Sequence, residues 1–112
     1  VALSYKNRIT NKKDFDSVFR KGKKIRNDFL FAYYLKNNKN TLRIAFVIST
    51  KLVPLAVNRN KIRRKLSEEV LRLGLLNSGY DIIIGVVKKI KKEEIKYLNL
   101  KLNDLLLNII KN

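Results

Sequence analysis

The sequence predicts a single α+β domain, an α-β-sandwich of order α-β-β-β-α-β-α in which helices cover a sheet. Three observations predict it: a length of 112 residues, an apolar fraction of 46%, and apolar spacing that switches between helical and strand-like periods along the chain. A second core would leave each half too small to offset its chain entropy, so residues 1–112 are expected to form one domain.

Asn11 to Arg20 places Phe15, Val18 and Phe19 at helical spacing, with Asn11 suited to cap the first turn and Gly22 to end the last. Lys12, Lys13, Arg20, Lys21, Lys23, Lys24 and Arg26 make this helix and its exit strongly basic. A short strand is expected near Lys24 to Arg26. From Asp28 to Lys36 the run Phe29-Leu30-Phe31-Ala32-Tyr33-Tyr34-Leu35 is apolar or aromatic at every position, which predicts a strand covered on both faces. Asn37-Asn38-Lys39-Asn40 supplies a turn, and Leu42 to Ser49 a further strand, expected to form an antiparallel hairpin with the one before.

Pro54 is the lone proline, and its missing N–H and preset φ suit the first turn of a helix running to about Leu73. Leu55, Ile62, Leu66, Val70 and Leu73 form the predicted apolar stripe, and Gly74 with Asn77-Ser78-Gly79 marks the end. Tyr80 to Val87 is a β-branched run expected as a buried central strand. Glu93 to Ile110 carries Ile95, Leu98, Leu102, Leu105, Leu106 and Ile109 at the spacing of a long amphipathic helix.

Charge narrows the function. The chain holds 26 Lys and Arg against 9 Asp and Glu, a formal net of +17. Such a field opposes its own compaction, so a polyanionic partner is the simplest reason to carry it: nucleic acid first, an anionic membrane surface second. The absence of Cys excludes disulfides, thiolate metal sites and cysteine nucleophiles, and the absence of His removes the usual general base and commonest zinc ligand. No apolar run reaches the length of a spanning helix, so a cytoplasmic protein without a membrane partner is the expectation. The sequence begins at Val1 and has no Met, as expected if an initiator has been removed or omitted.

Lys51 to Lys65 contains Lys51, Arg59, Lys61, Arg63, Arg64 and Lys65 with no acidic residue. A helical projection turns Asn60, Arg64 and Ser67 away from the Ile62 stripe, with Lys61 and Lys65 on the other flank, all toward solvent. Arg59 falls on the apolar side instead. It is either a guanidinium held beside phosphates or a side chain whose stem packs on the sheet. Phe15, Phe19, Phe29, Phe31, Tyr33 and Tyr34 are candidates either for stacking unpaired bases or for the core. Strand alternation puts Phe29, Phe31 and Tyr33 on one face and Leu30, Ala32 and Tyr34 on the other. Lys88, Lys89, Lys91 and Lys92 offer diffuse attraction or a solvated loop. Asp14, Asp16, Asp28, Asp81 and Asp104 are scattered, which disfavours a self-sufficient metal-dependent nuclease, and no phosphate-binding glycine loop of Walker type occurs.

Taken together, Asn7-Arg8-Ile9, Asp14-Phe15-x-x-Val18-Phe19, Gly22, Ser49-x-Lys51 and Ala56-Val57-x-Arg59-Asn60-Lys61-Ile62-Arg63-Arg64 resemble the protein component of bacterial ribonuclease P, over nearly the whole chain. The resemblance implies a mixed sheet with a left-handed βαβ crossover, the fold class of ribosomal protein S5 domain 2, against the usual right-handed rule. It implies an endoribonuclease only as a holoenzyme: an RNA subunit hydrolyses the phosphodiester with Mg2+, and the protein has no catalytic residue. The implied partners are ribonuclease P RNA and precursor tRNA, with no obligate protein partner. Arg59, Asn60, Lys61, Arg63, Arg64 and Lys65 would contact the catalytic RNA. Phe15, Phe19, Tyr33, Ser49 and Lys51 would line a cleft for the single-stranded 5′ leader. No metal-contacting residue is singled out. Three positions depart from the family pattern: Pro54-Leu55 replaces Gly-Asn, Lys61 replaces Arg, and Ser67 stands where a basic residue is common. The competing class is a basic structural RNA-binding protein of ribosome-like assemblies.

Overall fold

The computed structural model describes residues 3–110, so Val1 and the expectation about an initiator lie outside the described residues. Helix α1 spans Lys12–Lys21, strand β1 Lys23–Arg26, β2 Leu30–Lys36, β3 Arg43–Val47, helix α2 Ala56–Leu73, β4 Tyr80–Val86 and α3 Leu98–Ile110. Short 3-10 turns occupy Tyr5–Asn7 and Lys92–Tyr97. The order α-β-β-β-α-β-α is the one expected.

The sheet order is β1-β2-β4-β3, with β1 antiparallel to β2, β2 antiparallel to β4, and β3 parallel to β4. It is therefore mixed, and α2 is the crossover of a β3-α2-β4 unit. The expected hairpin between Asp28 to Lys36 and Leu42 to Ser49 does not form; β4 lies between those strands, and the hairpin is β1–β2 instead. The cause is burial: β4 is buried from Asp81 to Val86 and needs a neighbour on each side. Asn37 fixes the insertion. Its N–H donates to Gly79 O at 3.0 Å, and its Nδ2 donates to Thr41 O at 3.0 Å and Asp81 Oδ1 at 2.8 Å, holding the start of β4 beside the end of β2.

One face of the sheet is fully covered. Leu30, Ala32, Ile44, Ile82 and Ile84 join Ile62, Leu66 and Val70 of α2 and Leu98, Leu102, Leu106 and Ile109 of α3 in one core. Burial of each large side chain there contributes about 1.5–3 kcal/mol. The other face is not. Phe31 and Tyr33 remain half-buried, so β2 is not covered on both faces as expected; among the described helices α1 leans on that side against β2 and β4, with Val18 and Ile83 both at 0% exposure. Arg43 ties α1 down: its Nε donates to Asp81 Oδ1 at 2.8 Å and an Nη to Asp14 Oδ2 at 2.9 Å.

The helix ends follow local chemistry. Asn11 Oδ1 accepts from Asp14 N–H at 2.8 Å, the expected cap, and Gly74 ends α2 at φ 68°, a conformation that favours glycine. Helix α2 begins at Ala56, two residues later than Pro54. Leu55 is extended, accepts from Asn58 N–H and Arg59 N–H, and is 61% exposed, so it leaves the predicted stripe. Buried Val53, with its N–H on Ser49 O, anchors the approach instead. The last helix also starts late. Glu94 accepts from Lys91 N–H at 3.0 Å and from Lys88 Nζ at 2.6 Å, which holds Lys92–Tyr97 in the tighter 3-10 form before α3.

Candidate nucleic-acid interface

The open side of the sheet carries a row of aromatic rings. Phe15 and Phe19 of α1 meet edge to face at 5.1 Å between centroids, Phe19 meets Tyr33 at 4.7 Å, and Tyr33 meets Phe31 at 5.8 Å. Helical spacing brings the first two together, and the pleat of β2 puts the last two on one face. Lys24 of β1, paired with Tyr33 in the ladder, sets its ammonium 5.3 Å from the Tyr33 ring centre and 6.0 Å from that of Phe31. Gly85 makes room for the row, because a Cβ there would collide with the Phe31 ring. Phe15, Phe19 and Tyr33 are thus brought together as expected, and Phe31 and Lys24 complete the group.

Ser49 and Lys51 lie on the exposed turn after β3. Ser49 Oγ accepts from Lys51 N–H at 3.0 Å, which fixes the turn. Along β3, Ala45 stands level with Tyr33 through Ile83, so Ser49 is four residues on, roughly 13 Å at the rise of a strand. It bounds the open face rather than touching the rings. Phe29 departs from the alternation read in the sequence. It precedes β2 and is buried, with Lys88 and Lys101 ammonium groups 4.8 and 5.2 Å from its ring centre. Phe31, a stacking-or-core candidate read on the same strand face as Tyr33, falls in the row; Lys24 was missed because its place depends on the β1–β2 register, and its position facing an aromatic strand across a short turn was the available signal.

On α2, Asn60, Lys61 and Arg64 are exposed, while Arg59, Arg63 and Lys65 are half-buried. Arg59 turns back on its own approach loop, donating from Nη1 to Val53 O at 2.9 Å and Pro54 O at 2.8 Å. It rigidifies the entry to the helix, and its guanidinium remains partly accessible beside it. Arg63 donates to Asn60 Oδ1 at 3.3 Å. Ser67, expected at solvent, is 8% exposed and instead lines a cavity of about 550 Å³ with Arg8, Phe46, Arg63 and Arg64. The projection failed there because the N-terminal segment, bridged to β3 through Arg8 and Ile44, walls off that side of α2. Among the described residues, none of the cations from Lys51 to Lys65 forms an ion pair.

The carboxylates are occupied elsewhere. Arg43 and then Asn11 hold the Asp14 carboxyl below its usual range; Lys101 does so for Asp28, and Lys88 for Glu94. Asp16 pairs with Lys12, Glu69 with Arg72, and Asp81 with Arg43. These groups are fixed in ion pairs, a poor arrangement for a general acid. Among the described residues no three acidic groups converge to hold a metal, and no helix is long and apolar enough to cross a membrane.

Comparison with known proteins identifies the family. The family model described as Ribonuclease P matches residues 3–110. The Ribonuclease P protein component of Streptococcus agalactiae is 32% identical over 104 residues, 93% of this chain and 91% of that one. The component of Thermotoga maritima is 28% identical over 111 residues, 98% and 94% of the two chains. The solved Staphylococcus aureus RNase P protein superposes with a TM-score of 0.82 at 26% identity, covering 95% of this chain and 98% of that one. With its match from Leu3 to Ile110 and relatives alike over nearly their whole length, this chain belongs to the ribonuclease P protein family.

Proposed function

We propose that this chain binds the catalytic RNA of ribonuclease P through α2 and holds the 5′ leader of precursor tRNA along the aromatic groove. As a ribonuclease P protein component it belongs with the holoenzyme that processes tRNA. The observation that carries the finer reading is the pairing of two surfaces: a helix whose cations from Arg59 to Lys65 meet no carboxylate, and a row of rings edged by Lys24. A helix with fixed positive charge suits the phosphates of a folded RNA, while flat ring faces suit unstacked bases, which only a single strand offers.

Arg64 and Lys61 are free to meet phosphates, and Arg59 stiffens the loop that presents them. Phe19 and Tyr33 offer ring surface to bases, with Lys24 beside them for the backbone. Hydrolysis is assigned to the RNA subunit. Among the described residues no three acids converge, and most of them are held in separate ion pairs, so the residues present do not fit a protein-held Mg2+ and the ion is left to the RNA.

Reconstitution tests this. The protein alone should leave precursor tRNA intact, and its addition to ribonuclease P RNA should restore cleavage at low Mg2+. Arg64→Ala should weaken binding to the RNA subunit by about 1.5–3 kcal/mol, the worth of a hydrogen bond to a charged group, with the melting temperature held. Cleavage by protein alone, or rescue and affinity indifferent to Arg64, would overturn the reading. Preference for duplex over a single-stranded leader would favour a basic structural RNA-binding protein instead.

A further inference from the structure

At the β1 edge, on the helix-covered side of the sheet, a second basic cavity of about 410 Å³ is lined by Lys21, Lys23, Tyr34, Lys36, Tyr80 and Ile109. The Tyr34 and Tyr80 rings stand 6.3 Å apart, tilted by 60°, and both are half-buried. The three lysines come from the end of α1, the start of β1 and the end of β2. No acidic side chain lines the cavity, and among the described residues none of these lysines is in an ion pair. Ammonium groups gathered without a counter-charge repel one another, and an anion relieves that repulsion. Tyrosine faces beside them add a stacking surface, and the combination fits a nucleotide, base on ring and phosphate on ammonium.

The ladder connects this cavity to the groove. Lys24 pairs with Tyr33 and Lys23 with Tyr34. Because neighbouring residues of a strand face opposite ways, one cation and one tyrosine serve each side of the same edge. A polyanion crossing β1 therefore meets positive charge throughout. The order β1-β2-β4-β3 also sets this edge farthest from β3, which feeds α2. A leader strand leading away from an RNA subunit bound at α2 would arrive here last.

We propose that this cavity is a second leader subsite, taking an unpaired nucleotide farther from the cleavage site than those in the groove, after the strand has crossed β1. The proposal rests on the leader reading above.

The test uses the holoenzyme and precursor tRNAs whose leaders lengthen stepwise. The wild type should gain affinity in a further step once the leader outgrows the groove. Replacing Lys21→Ala and Lys36→Ala together should abolish that step, about tenfold in Kd for long leaders, while short-leader binding and cleavage stay unchanged. A 4-thiouridine in the distal leader should crosslink to the peptide containing Tyr80, and millimolar adenosine monophosphate should not displace it. The subsite is refuted by the absence of the further step, by equal loss for short and long leaders, or by displacement of the crosslink, which would reassign the cavity to free nucleotides. Cleavage of the short-leader substrate by wild type tests the parent reading separately, since its failure alone would sink that reading.

Discussion

On β2, Leu30 and Ala32 have no exposure, whereas Phe31 and Tyr33, the residues between and beside them, remain half-buried. Helices α2 and α3 finish the first face; the second has only the ten residues of α1, which reach β2 and β4. Alternate side chains of one strand therefore do different work. One set holds the domain together, and the other keeps rings that touch one another at an open surface.

The contrast can be broken from either side. The largest effect is expected on the covered face: Leu66→Ala removes a side chain 1% exposed and should destabilise the domain by about 2–5 kcal/mol in chemical denaturation. On the open face, Phe19→Ala should cost far less stability, because that ring is already 37% exposed. It should weaken precursor tRNA by about 1–3 kcal/mol relative to leaderless tRNA, the worth of one base–aromatic stack. Equal weakening of both RNAs, or a stability loss matching that of Leu66→Ala, would erase the distinction between the faces.

The smallest expected effect concerns the joint that holds α1 over the open face. The Asp14 carboxyl is depressed by its bond to Arg43 and then by Asn11, so its contribution to stability is complete above the unfolded carboxylate range near pH 4 and is lost as pH falls through the lower folded value. Asp14→Asn should flatten that part of the acid-unfolding profile, its small loss of stability appearing at neutral pH and vanishing where the wild-type carboxyl is protonated. A profile identical to wild type would mean that the Arg43–Asp14 bond contributes nothing to α1 docking.

Local features were legible and long-range ones were not. Asn11, Gly74 and the Ile62, Leu66, Val70 spacing act within a few residues, and the sequence displays them directly. Asn37 looked like a turn residue and is one, but its decisive bond goes to Asp81, 44 positions away, and that bond decides which strand lies beside β2. No local pattern announces it. In the groove, Phe15, Phe19 and Tyr33 were found through family resemblance. Phe31 followed from strand alternation with Tyr33, and Lys24 required the register. Arg59 was read as facing the sheet, yet the late start of α2 leaves two carbonyls of the approach loop within its reach.

The central position of β4 has a consequence for synthesis. Strands β2 and β3 have no partner in common until residues 80–86 have been made, so a growing chain carries two sticky, half-finished ribbons while residues 48–79 are being added. Lysines and arginines spread along those early segments keep such intermediates apart by mutual repulsion. The surplus charge proposed to draw an RNA to the finished molecule thus also guards the unfinished one against its own kind.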